Sequence, residues 1–176
     1  MPIPKTDFHR IFVEEGKPFY NDIYSLRKDD FNEWVVTNFS VIKTISSFKE
    51  VAPNNKLFSD LQVKGYFHRE GQCHYSSKAV SILDENFEYW TGFVHWQNWE
   101  YPIITHSFNI CGGAIIDFSK INEEFKIIEE VNSYLPHVYY GIRIPVEFVR
   151  KFKNETFNDY SMKPLLFEWY KEFVNK

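Results

Sequence analysis

Two β-prone runs, Ile103 to Cys111 and Ala114 to Ser119, flank the dipeptide Gly112-Gly113. A two-residue hairpin turn demands positive φ at its centre, which glycine adopts at no steric cost. The dipeptide therefore predicts an antiparallel ribbon in which Cys111 faces Ala114. In that register Phe108 faces Asp117 and His106 faces Ser119. His106 and Asp117 then share a face as diagonal neighbours, about 7–8 Å apart between backbones and within reach of each other's side chains. A slip of one residue would turn them to opposite faces.

Upstream, the pattern is helical. Asp29 and Asp30 can cap a helix from about Phe31 to Val51, with Trp34, Val35, Phe39, Val41, Ile42 and Ile45 as its apolar stripe. Ala52-Pro53-Asn54-Asn55 breaks it, and a shorter helix is expected from Lys56 to Lys64. From Cys73 onward, Tyr75, Ala79, Ile82 and Leu83 recur at the spacing of a helix with one buried face. Cys73 lies off that stripe, in the first turn.

Phe87 to Trp99 reads as a strand, Ile121 to Asn132 as a helix and Tyr139 to Ile144 as a further strand. Pro145 suits the first position of a helix through Phe152. Ser161 to Val174 closes the sequence as an amphipathic helix with Pro164 in its first turn. Helices first, then an antiparallel sheet with more helices, is an α+β arrangement. With 176 residues the expectation is one domain. Residues 1–70 form its helical N-terminal part, 71–144 the catalytic core and 145–176 the C-terminal helices.

The 18 Phe, 11 Tyr and 5 Trp predict an aromatic-rich core. A formal charge of −4 and the absence of a long basic run argue against a nucleic-acid partner. Met1 to Arg10 lacks an apolar signal core and no stretch has transmembrane length, so cytoplasmic action without a membrane partner is expected. Cys73 and Cys111 are the only cysteines, too few for a disulfide framework. Both thiols are expected free in a reducing compartment.

A thiolate is a strong nucleophile, but a free thiol is mostly protonated at neutral pH. A helix amino terminus and a nearby imidazolium both favour its ionised form. Cys73 has the first by position, and its backbone N–H can help hold an oxyanion. His106, oriented by Asp117, can supply the second. The alternative is that His106 and Asp117 form a structural pair and Cys73 is a small apolar residue.

The string Gly71-Gln72-Cys73 resembles the start of the transglutaminase active-site motif. The order Cys, His, Asp, with the last two on successive strands, resembles that family and papain-like enzymes. Tyr89-Trp90-Thr91-Gly92, His106-Ser107-Phe108-Asn109, Gly113 to Ser119 and Tyr140-Gly141-Ile142 also resemble small bacterial and phage proteins of the pattern Y-x-x-G, H-x-W-N, G-x-x-x-D-x-T. The resemblance spans Gly71 to Ile144. It implies a nucleophile-bearing helix packed on an antiparallel sheet, a papain/transglutaminase-like core, and a Cys73–His106–Asp117 triad with Gln72 and Asn109 as possible support. The sequence departs from the pattern at His74, where transglutaminases carry Trp, and at Phe108, where the small proteins often carry Trp. Gln72 adjoins Cys73 rather than preceding it by several residues, so the papain oxyanion role does not transfer.

The function expected is thiol-dependent amide hydrolysis of a protein or peptide, by a thiol protease or amidase. Glutamine deamidation, transglutaminase-type cross-linking and a catalytically silent module binding a host protein stay open. No cofactor is expected. His68, His74, His95 and His137 with Cys73 lack the paired spacing of a metal site. Cys111 is a rival nucleophile without a helix dipole, and Asn109 falls on the ribbon face opposite His106. Trp90, Trp96, Trp99 and Tyr101 are expected in the core or along a substrate cleft. Glu123, Glu124, Glu129 and Glu130 are expected on a solvated helix face.

Overall fold

The computed structural model describes residues 29–38, 40–69, 71–96, 103–122, 124, 126–127, 135–152, 165–174 and 176. Helix α1 (Asp29–Asn38) leads into strand β1 (Ser40–Ile45), and a 3₁₀ turn (Phe48–Glu50) precedes helix α2 (Asn55–Val63). Helix α3 (Cys73–Leu83) is followed by β2 (Glu88–Trp96), β3 (Ile103–Cys111) and β4 (Ala114–Ile116). A second 3₁₀ turn (Phe118–Lys120), β5 (His137–Ile144), α4 (Val146–Lys151) and α5 (Leu166–Val174) complete the described elements. The class is α+β, as the sequence predicts. The strands form a curled antiparallel sheet in the order β1-β5-β2-β3-β4.

The long helix expected from Phe31 to Val51 is not formed. It ends at Asn38, whose side-chain amide donates to the Trp34 carbonyl at 2.8 Å. The β-branched residues Val41, Ile42, Thr44 and Ile45 then build β1, which finds its partner in β5. The chain turns at a capping box: the Ser47 hydroxyl accepts from Lys49 N, and Glu50 accepts from the N–H groups of Ser46 and Ser47. The part before residue 71 therefore contributes an edge strand as well as helices.

The helix expected over Ile121 to Asn132 is also absent where the structure describes it. Ile121 and Ile127 form an antiparallel bridge. The Asn122 side chain closes the turn between them by accepting from Glu124 N and Lys126 N, both at 3.0 Å. Glu124 is exposed and paired with Lys126. Glu123, Glu129 and Glu130 lie outside the described residues, as do residues 1–28, Trp99, Tyr101, Pro164 and the Trp96 side chain.

Aromatic packing covers the sheet. Phe31 of α1 meets Phe167 and Tyr170 of α5 edge-on at 5.3 and 5.2 Å. These rings pack on Phe93, Val138 and Tyr140 of the central strands. A second cluster joins Phe48, Val51, Val94, Phe108, Ile115 and Tyr139. Gly92, at the sheet's centre, pairs with both His106 and Gly141. A Cβ there would lie 2.4 Å from the Tyr140 carbonyl oxygen, so this close approach of strands admits only glycine.

Helix α3 is more deeply set than a one-sided stripe predicts. Every residue from His74 to Ser81 is buried, including Lys78. The helix lies against β3 and β2, and Asn109 fastens it there. Its side-chain amide donates to the carbonyls of Ser77 and Glu88 at 3.0 and 3.2 Å.

Candidate active site

The hairpin forms in the expected register. Gly112 and Gly113 have φ of 58° and 80°, and Cys111 faces Ala114, Ile110 faces Ile115 and Asn109 faces Ile116. The ladder stops there instead of continuing to Ser119. Asp117 leaves the strand to become the N-cap of the second 3₁₀ turn, its carboxylate accepting from Ser119 N at 3.0 Å. Its own N–H donates to the Val51 carbonyl at 2.7 Å. That departure swings the carboxylate onto the imidazole rather than leaving it a diagonal neighbour.

His106 Nε2 lies 2.7 Å from Asp117 Oδ2, and both side chains are almost completely buried. Tyr139 Oη donates to the same oxygen at 2.6 Å. The Ser119 hydroxyl donates to Oδ1 at 2.7 Å. Asp117 thus accepts four hydrogen bonds without access to bulk water. Burial alone would raise its pKa, but the His106 charge and hydrogen bond, with Lys120 and Tyr139, hold the carboxyl far below its usual range.

With Nε2 committed to Asp117, Nδ1 of His106 is the nitrogen available to a thiol. The Cys73 side chain, at the first position of α3, hydrogen-bonds the His106 ring. The structure therefore brings Cys73, His106 and Asp117 together. Burial alone would lower the imidazole's pKa; the charges of Asp117 and Cys73, with hydrogen bonds to both, raise it to about 9. Burial alone would likewise raise the thiol, but the rings of His74 and His106 outweigh it and hold Cys73 well below the ordinary thiol range. Both shifts run in the direction that favours the thiolate–imidazolium form of the pair over the neutral one.

Opposite His106 across the β2 ladder stands Gly92, so no β2 side chain crowds the ring from that position. Phe108 stacks along it at 6.4 Å and Tyr139 lies 5.8 Å away. Lys120 is buried over the Phe48 ring, where burial lowers its pKa against the opposing pull of Asp117 and Cys73. Cys73 itself remains half-buried and free of any disulfide.

Cys111 is also free and half-buried, but burial, together with the Asp84 charge, pushes its thiol upward. Gln72 is the N-cap of α3 without a side-chain cap bond, and its Oε1 is buried with no hydrogen-bond partner among the described residues. Asn109 bonds the backbone of Ser77 and Glu88, away from the imidazole. Trp90 is partly buried against the core and donates to Glu88 at 2.9 Å. Among the described residues, no group of three or more His, Cys, Asp or Glu side chains is arranged to hold a metal ion. None of the described helices is long and apolar enough to cross a membrane.

Sequence reasoning missed Ser119, Lys120 and Tyr139 around Asp117. Asp117-Phe118-Ser119 carries the local signal of an acidic cap bonding two residues on. Tyr139 offers no such signal, since only the fold sets it beside the hairpin. Comparison with protein-family models, curated proteins and solved structures finds no match.

Proposed function

We propose that this chain is a cysteine enzyme that cleaves amide bonds in proteins or peptides, built on a papain/transglutaminase-like core. The observation that supports this reading is the convergence of Cys73, His106 and Asp117, in surroundings that lower the thiol's pKa and raise the imidazole's. A buried cation–anion chain of this kind is costly to maintain for structure alone. Free thiols suit a reducing compartment such as the cytoplasm.

In the reaction, the Cys73 thiolate attacks the acyl carbon and the carbonyl electrons move onto oxygen. The uncapped N–H groups of the first α3 turn, that of Cys73 among them, face the developing oxyanion. His106 gives its Nδ1 proton to the leaving nitrogen as the C–N bond breaks, and a thioester remains. Water then attacks the thioester, passing a proton back to His106 as the thiolate leaves. A glutamine side chain processed this way becomes glutamate, and an amine in place of water yields a cross-link.

The test is intact-mass and peptide-level mass spectrometry of a mixed protein substrate incubated with the wild type and with Cys73→Ala. Backbone fragments identify a peptidase. A gain of about one mass unit per glutamine identifies a deamidase, as water resolution of the thioester requires. Either product should vanish with Cys73→Ala. Products that persist in that variant would remove Cys73 from the chemistry.

A further inference from the structure

The residue after the nucleophile is His74, and its surroundings are as ordered as those of His106. It sits in the first turn of α3 and is 3% exposed. Its Nδ1 lies 2.6 Å from the Ser107 hydroxyl. Ser107 in turn donates to the Thr91 hydroxyl at 2.9 Å and lies 3.4 Å from Tyr89 Oη. Tyr89 Oη accepts from Leu165 N at 3.3 Å. A hydroxyl has one proton; Ser107 gives it to Thr91, so its oxygen accepts from His74 Nδ1–H. That fixes which nitrogen carries the proton and leaves Nε2 available to the sulfur. The Cys73 side chain hydrogen-bonds the His74 ring as well as that of His106.

We propose that His74 is a second activating residue of the Cys73 thiol, held by Ser107 so that the sulfur ionises between two imidazoles rather than beside one. This rests on the reading of Cys73 as the nucleophile. The two rings are anchored differently. His106 leans on a carboxylate, whereas His74 leans on a neutral chain of hydroxyls running through β3 and β2 to the start of α5. The other titratable or charged groups around the sulfur are His106 from β3, Asp117 and Lys120 from the second 3₁₀ turn, Tyr139 from β5 and Tyr89 from β2. Lys78, one turn along α3, is buried too. None of these occupies the place of His74 beside the thiol in the first turn. Burial opposes ionisation of Cys73, and the charge of the His74 ring opposes that burial alongside His106.

The experiment is peptide-resolved iodoacetamide labelling of Cys73 from pH 4 to 10, in wild type, His74→Asn, Ser107→Ala and His106→Asn. Asparagine keeps a donor for Ser107 but cannot carry the charge. His74→Asn should raise the midpoint of the labelling profile, lowering the thiolate fraction on its acid limb about tenfold, the change that one pKa unit brings. A purely structural role would lower the rate at every pH and leave the midpoint in place. Ser107→Ala keeps the imidazole but frees its proton to move, and should raise the midpoint by less. If His74→Asn does not fold, Ser107→Ala decides, and an unmoved midpoint there overturns the proposal. If His74→Asn folds and its midpoint equals that of the wild type while His106→Asn shifts it, the role of His74 is overturned and the Cys73–His106 reading stands. A wild-type midpoint at that of Cys111 would overturn both.

Discussion

Asp117→Ala should lower the unfolding free energy by about 3–5 kcal/mol, the cost of stripping one partner from a buried pair. Four donors converge on this carboxylate: His106 Nε2, Tyr139 Oη, Ser119 N and Ser119 Oγ. Alanine orphans all of them, and an unmet buried donor costs more than the bond itself contributed. Asp117→Asn, which keeps one acceptor, should lose less. The gap between wild type and Asp117→Asn should also vary with pH. The Asp117 pKa is depressed in the folded state, so its contribution is complete above the unfolded value near 4 and is lost as pH falls through the folded one. The His106 pKa is raised, so its contribution is complete below about 6.5 and is lost as pH rises through about 9. Urea midpoints should therefore differ most between about pH 4 and pH 6.5. A gap that is constant with pH would contradict the assignment of charge to this pair.

His106→Asn should cut the alkylation rate of Cys73 at least about tenfold at pH 6. That is the change in thiolate fraction that one pKa unit brings on the acid limb as the thiol reverts towards a free cysteine near 8.5. The effect should shrink as pH rises, because above the free-thiol pKa both proteins present thiolate. Labelling of Cys111 is the internal reference, since its thiol is pushed upward by burial and by Asp84, with no imidazole in play. Equal Cys73 rates in wild type and variant at pH 6 would show that the imidazole does not ionise the sulfur. The residual rate in His106→Asn measures what the helix terminus, His74 and Lys120 supply together.

The parts of this arrangement that were legible in the sequence are those set by local chemistry. Gly112-Gly113 dictates its own turn, the turn dictates the register, and the register brings His106 and Asp117 within reach. The start of α3 at Cys73 follows from the spacing of Tyr75, Ala79, Ile82 and Leu83. Strand β1 was hidden because Val41, Ile42 and Ile45 satisfy a helical stripe as well as a strand. Its partner β5 lies almost a hundred residues on, and pairing over that distance overrides local periodicity. Ser47-Phe48-Lys49-Glu50 was the available cue, a capping box in the middle of the supposed helix. The turn at Asn122 was missed for a similar reason, since Ile121, Phe125 and Ile128 have helical spacing while Asn122 closes the loop from its side chain. The ring of polar contacts around Asp117 and His74 draws on residues far apart in the chain, so only the fold assembles it.

The most direct measurement is the ultraviolet titration of the thiolate in Cys111→Ser, followed from pH 4 to pH 10, with Cys73 as the sole cysteine. The arrangement of Cys73 against two imidazoles predicts thiolate absorbance already present at pH 7 and a midpoint at least one unit below the free-thiol value near 8.5. A midpoint at or above 8.5 would contradict it, and Cys73 would then be an ordinary half-buried thiol.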